Sequence, residues 1–171
     1  DPNNGGILAL VSKPDFDLSL FSSITPPEVW RSLNTDPAKP LYNRATLTRY
    51  PPGSTFKMVL ATAALQEGII NTNWRIQCTG AFRYGARTFS DLHVHGSTNV
   101  IEAIQKSCNV FFYQLILKTG FDMWTKYGRE FGFGSITGID ILEENTGLLP
   151  SEEYFDRIYG EGKWTQWRLF L

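Results

Sequence analysis

Tyr50-Pro51-Pro52-Gly53-Ser54-Thr55-Phe56-Lys57 is the stretch on which the reading of this chain turns. Two prolines and a glycine end any regular structure before Ser54, because proline lacks the N–H and glycine has the largest backbone entropy to lose. After them Thr55 to Gln66 (TFKMVLATAALQ) is dense in strong helix formers, alanine above all, and Glu67-Gly68 closes the run. Its apolar density predicts a helix buried on most sides. Ser54 and Lys57 stand three residues apart at the start of that helix, on one face, with Cβ atoms about 5–6 Å apart. The spacing lets the Lys57 amine reach the Ser54 hydroxyl, a nucleophile with its base, the pairing that acyl transfer requires. A helix start also presents free N–H groups and positive potential, which would stabilise an oxyanion. A desolvated lysine near other cations gives up its proton more readily. Taken alone the spacing is unspecific, since Ser-x-x-Lys occurs often by chance and serine is a common helix-start residue.

Ser107-Cys108-Asn109, about fifty residues on, supplies a second hydroxyl and a carboxamide between two helical stretches. It reads either as further acyl-transfer equipment or as a loop closed by local polar bonds. Asn99 can cap a helix through Val100–Lys106, a second helix is expected over Val110–Lys118 with Gly120 ending it, and a third over Asp122–Phe131. Gly6–Ser12 (GILALVS) reads as a short buried strand. Pro14–Asn43 reads as a long surface connection with one helical turn near Glu28–Leu33. Asn71–Val94 reads as loop with short strands, and Ile139–Leu142 as extended.

With 171 residues the chain can bury one sizeable core, and 42% hydrophobic residues is an ordinary globular composition. A net charge of −1 gives no electrostatic footprint for nucleic acid or an anionic membrane surface. No apolar run approaches transmembrane length. The chain opens on Asp-Pro-Asn-Asn without a methionine, which reads as a piece of a longer protein whose anchor lies elsewhere. Both cysteines and both histidines fall between Cys78 and Cys108, with Asp91 among them. A zinc site, a reduced buried thiol pair and a disulfide in an oxidising compartment are all compatible with that composition.

Several further segments share one order. Asn43-Arg44-Ala45, the Tyr50–Lys57 stretch, Ser107–Tyr113 (SCNVFFY), Phe131-Gly132-Phe133-Gly134 and Thr137-Gly138-Ile139-Asp140, with Gly6–Ser12 in front, together resemble the transpeptidase domain of class B penicillin-binding proteins. The details are most similar to the elongation-specific group, penicillin-binding protein 2, over about residues 1–163. The resemblance implies an α+β (α/β) fold of the penicillin-binding protein and serine β-lactamase type, an antiparallel sheet flanked by helices, of which this single domain piece would hold mostly the helical part and a strand or two. It implies that Ser54 attacks the penultimate D-alanine of a peptidoglycan stem peptide ending in D-Ala-D-Ala, or a β-lactam. Lys57 would activate Ser54, Ser107 would relay a proton toward the leaving group, and Asn109 would bond the substrate amide. It implies a zinc site on Cys78, Asp91, His95 and Cys108, with His93 a neighbour; a metal there would tie Ser107–Asn109 to the Cys78–His95 loop. It also implies a domain on the outer, periplasmic side of a bacterial inner membrane, working with a membrane glycan polymerase.

The family's third motif, Lys-Thr-Gly or Lys-Ser-Gly on a strand edging the cleft, is expected beyond Leu171, so the resemblance implies that this piece alone lacks a strand that catalysis uses and is open to being inactive by itself. Lys118-Thr119-Gly120 has the letters but sits nine residues after Asn109, where Gly120 is a helix C-cap and Lys118 a last-turn cation. Residues 164–171 fit the family poorly. Two other functions share the motifs. A serine β-lactamase needs a deacylating carboxylate, for which Glu143 or Glu144 is similarly placed, without the expected downstream asparagine. A non-catalytic β-lactam sensor would acylate and stop.

Overall fold

The computed structural model describes residues 1–163, and the atypical tail lies outside them. The described chain falls into two units, residues 1–50 with 136–147, and residues 51–135 with 148–163.

The first unit is irregular and held by polar side chains. It contains helices α1 (Pro27–Thr35) and α2 (Arg44–Leu47). Pro27 stands at the start of α1, where its missing N–H costs nothing, and α1 extends beyond the single turn expected. Asn43 caps α2 by accepting the Ala45 N–H at 3.1 Å. The Arg44 guanidinium donates to the carbonyls of Ala38, Lys39 and Tyr42 at 2.6, 3.1 and 3.3 Å. The 136–147 stretch is tied in by the Asn145 N–H on the Thr46 carbonyl and by Arg49 Nε on Asn145 Oδ1.

Two expectations fail in this unit. Gly6–Ser12 is no buried strand: Leu8 is 86% exposed, and among the described residues no strand pairs with it. Apolar character makes a strand only where a neighbouring edge takes up its N–H and C=O groups. Ile139–Leu142 bends instead of extending. Glu144 closes that loop on itself, accepting the Thr137 and Gly138 N–H groups at 2.8 and 3.3 Å.

The second unit carries the core. Helix α3 (Lys57–Gln66) buries Val59, Leu60, Ala61, Ala63 and Ala64, and its alanines let α5 (Asn109–Thr119) and α6 (Phe121–Glu130) approach closely. Phe111 and Leu115 of α5 are fully buried against it, each contributing about 1.5–3 kcal/mol by removal from water. Gly120, φ 86°, ends α5 with its N–H on the Ile116 carbonyl. Lys118-Thr119-Gly120 is therefore a helix terminus, as its spacing predicts.

Two antiparallel pairs flank this bundle. Strand β1 (Arg75–Cys78) pairs with β4 (Gly96–Asn99), setting Cys78 opposite Gly96. Alternation turns Ile76 and Cys78 inward. Strands β2 (Ala81–Tyr84) and β3 (Arg87–Ser90) form a hairpin whose Phe82 and Phe89 rings lie 6.3 and 5.4 Å from Tyr113. Helix α4 (Val100–Gln105) starts in a capping box: Asn99 accepts the Glu102 N–H and Glu102 the Asn99 N–H. The last helix among the described residues, α7 (Glu152–Tyr159), is absent from the sequence reading, although Ser151 followed by two glutamates is a helix-start signal. Among the described residues no helix is long and apolar enough to cross a membrane.

Candidate active site and metal centre

Ser54 lies in a 3-10 turn, Gly53–Phe56, that runs straight into α3. Gly53 opens it with φ 58°, a conformation that side chains resist. Residues three apart eclipse in such a turn, so Ser54 and Lys57 share a face as their spacing predicts. The ammonium nevertheless turns to the other segment. Lys57 Nζ donates to the Ser107 carbonyl at 2.7 Å, Ser107 Oγ at 3.0 Å and Asn109 Oδ1 at 2.5 Å. Ser107 Oγ lies 2.9 Å from Ser54 Oγ. The direct Ser54–Lys57 contact expected from sequence is thus replaced by a chain of atoms through Ser107.

The apolar surroundings of Lys57 ease the loss of its proton. It edges a cleft of about 380 Å³ lined by Phe56, Leu60, Phe112, Ile116 and Trp124. Burial there holds its pKa below the ordinary lysine value, against the opposing pull of Asp91 and Cys108. Phe112, whose ring centroid is 5.6 Å from Nζ, escaped the sequence reading. The available signal was its place three residues after Asn109, on the same helical face.

Ser107 and Asn109 come together because the chain between α4 and α5 makes one tight turn. Ser107 has φ 54°, a left-handed conformation unusual for serine. The Cys108 N–H bonds the Ala103 carbonyl at 2.9 Å, and the Cys108 sulfur caps α5 by accepting the Phe111 N–H at 3.4 Å.

Behind that turn, Cys78, Asp91, His95 and Cys108 converge, with their four ligand atoms within 4.8 Å of one another. Asp91 Oδ2 is 3.5 Å from Cys78 Sγ, 3.2 Å from Cys108 Sγ and 3.5 Å from His95 Nδ1, and Cys78 Sγ is 3.6 Å from His95 Nδ1. Tetrahedral zinc with bonds of about 2.0–2.3 Å sets neighbouring donors about 3.4–3.8 Å apart; these four separations lie in or near that range, and the donor types are ones that zinc takes. The thiols are free rather than joined. Burial, foremost, pushes the Cys108 thiol up to about 12. Burial also raises the Asp91 pKa, but hydrogen bonds from the Val110 N–H, Cys108, the Leu92 N–H and Cys78 outweigh it and hold the carboxyl below its ordinary value. His93 offers its carbonyl, 3.7 Å from Cys78 Sγ, and its ring is outside the donor set. Glu144 has both oxygens on its own loop, and Glu143 is exposed.

Comparison with known proteins identifies the family. Residues 1–165 match the penicillin binding protein transpeptidase domain. The peptidoglycan D,D-transpeptidase MrdA of Escherichia coli K12 is 34% identical over 183 aligned positions, covering 96% of this chain and 29% of that protein. Penicillin-binding protein 2 of Pseudomonas aeruginosa, solved in complex with WCK 5153, superposes with a TM-score of 0.84 at 31% identity, over 92% of this chain and 37% of that one. A chain of a peptidoglycan synthase complex that coordinates polymerization and crosslinking superposes at 0.83 with 34% identity, over 96% of this chain and 30% of that one. The chain thus spans about 29% of the length of the E. coli relative. With nearly its whole length matched, and with helices and short antiparallel strands that superpose on solved relatives, the chain belongs to the penicillin-binding protein transpeptidase domain family.

Proposed function

We propose that this chain belongs to a peptidoglycan D,D-transpeptidase of the elongation-specific group, a serine-type enzyme that β-lactams acylate. The observation that carries the proposal is the run Lys57 Nζ, Ser107 Oγ, Ser54 Oγ, with steps of 3.0 and 2.9 Å. Ser54 Oγ attacks the penultimate D-alanine carbonyl of a stem peptide. Its proton passes to Ser107 Oγ as the Ser107 proton passes to the neutral Lys57 amine. The ester to Ser54 forms, the bond to the terminal D-alanine breaks, and the proton returns through Ser107 to the departing amine. A neighbouring stem-peptide amine then takes the acyl group. Asn109, anchored on Lys57, offers its side-chain N–H groups to the substrate amide. No cofactor enters these steps.

Zinc on Cys78, Asp91, His95 and Cys108 would supply a structural cross-link between the β1 and β4 ends and the start of α5. A glycan-polymerising partner is supported by the likeness to a chain of a peptidoglycan synthase complex that coordinates polymerization and crosslinking, and the place proposed for the pair is the periplasmic side of the inner membrane. Glu144, bound by its own loop, gives no support to a β-lactamase. The test is incubation with a fluorescent penicillin and mass spectrometry. A lasting adduct on Ser54, absent in Ser54→Ala, is expected. Rapid turnover would instead indicate a lactamase, and a folded chain without adduct would overturn the view that these four residues suffice for acylation.

A further inference from the structure

Asp91 is the side chain through which the two clusters meet. Its Oδ2 accepts the Val110 N–H at 2.9 Å, one of the donors that a helix start leaves without an intrahelical partner. Its Oδ1 accepts the Leu92 N–H at 2.8 Å, and the Asp91 N–H donates to the Gly80 carbonyl at 2.8 Å. The carboxylate is therefore held in place, and its side chain is 0% exposed. Val110 directly follows Asn109, and Ser107 just before them carries the left-handed φ of 54°. Such a conformation persists only where its surroundings over-determine it. The bond from the Cys108 N–H to Ala103 holds the turn on one side, and the Val110 bond to Asp91 holds it on the other. All three acceptors of Lys57 lie in this segment.

We infer that Asp91 is a positioning residue for Ser54, Lys57 and Ser107, acting through the Val110 N–H whether or not a metal is bound. Its consequence for rate rests on the transpeptidase reading, and the contact itself does not. A carboxylate oxygen has two acceptor directions, so Oδ2 can hold the N–H with one and a cation with the other. His95 separates the two roles. It belongs to the same donor set, yet among the described residues its ring bonds no backbone group of the 107–110 turn.

The experiment compares the full chain with Asp91→Asn, Asp91→Ala and His95→Ala, all in chelator, by hydrogen exchange and by penicillin acylation. In Asp91→Ala the amides of residues 108–112 should exchange about tenfold faster, the effect of one lost bond to a charged acceptor. Asp91→Asn, which keeps an acceptor oxygen, should stay near the unmodified chain, and His95→Ala in chelator should match it. Acylation at saturating penicillin should slow in step in Asp91→Ala, with half-saturation unchanged, and recover in Asp91→Asn. Equal effects of Asp91→Ala and His95→Ala would overturn the inference. So would fast exchange in a folded Asp91→Asn, which decides the matter even if Asp91→Ala does not fold. The expected exchange pattern without any adduct on the unmodified chain would show that these four residues do not suffice for acylation and leave the positioning role standing.

Discussion

The segment 107–109 faces two clusters built on opposite plans. On one side Ser54 is exposed and Lys57, Ser107 and Asn109 are half-buried, all polar and joined by short hydrogen bonds. On the other, Cys78 and Cys108 are fully buried, and the side chains of Asp91 and His95 are 0% and 7% exposed. A group that must meet a peptide has to stay within reach of solvent. A group that only holds geometry gains from burial, where electrostatic interactions are stronger and no substrate has to enter. The difference teaches that chemistry and rigidity are separated by the width of one turn, with the strained Ser107 at the seam.

Experiments on each side of that turn would test the contrast. The largest effect belongs to Ser54→Ala, which should abolish the penicillin adduct in the mass spectrum; a surviving adduct would place the nucleophile elsewhere. Lys57→Met should slow acylation by about 10²–10⁴-fold, the range of a lost general base, measured as the first-order rate at saturating penicillin. The same base fixes a pH dependence. Burial holds the Lys57 pKa below the ordinary lysine value. The neutral, accepting amine is therefore populated at lower pH, and the acid limb of the acylation profile should lie below that of a solvent-exposed lysine.

Removing the proposed metal would act through the buried side. If zinc is held at a thousandfold excess over its dissociation constant, stripping it should cost about 4 kcal/mol, on the order of 10 °C in melting midpoint. Calorimetry on the protein with and without chelator checks this, and an unchanged midpoint would count against the site. Since the Cys108 thiol is raised to about 12 and therefore protonated at neutral pH, zinc uptake should release protons and strengthen as pH rises. Titration in buffers of different ionisation heat reads that release. The smallest effect is expected at Leu8→Ala. Leu8 is 86% exposed, so stability should move by less than about 0.5 kcal/mol in a denaturant titration, whereas the buried Leu115→Ala should lose about 2–5 kcal/mol.

Much of the candidate site was legible because its parts are local. Three-residue spacing on a helix start fixes a shared face, so Ser54 and Lys57 could be paired from the letters alone. Asn99, Gly120 and the alanine-rich Thr55–Gln66 run are likewise local signals, and the helices they predict are present within a residue or two. The fold around them was less legible where an element depends on a partner. Gly6–Ser12 has the composition of a strand, but composition does not provide the edge that a strand must pair with. Ile139–Leu142 lost to Glu144, whose carboxylate takes up loop N–H groups that an extended chain would point elsewhere.

The sequence by itself determined the identity of the reactive groups, the helix that presents them, the reading of Lys118-Thr119-Gly120 as a helix end, and the candidate donor set of Cys78, Asp91, His95 and Cys108. The Ser54–Lys57 pairing and the helix end follow from residue type and short-range spacing, whereas the donor set and the roles of Ser107 and Asn109 are what the family resemblance implies. Tertiary structure alone decided that Lys57 addresses Ser54 through Ser107, that Asp91 spans a metal-ligand set and a helix terminus, and that Phe112 lies over the amine. Each depends on contacts between residues 19 to 55 positions apart in the chain. Such distances are closed by the packing of α3 against α5 and by the β2–β3 hairpin, which leads into Asp91 beside α5.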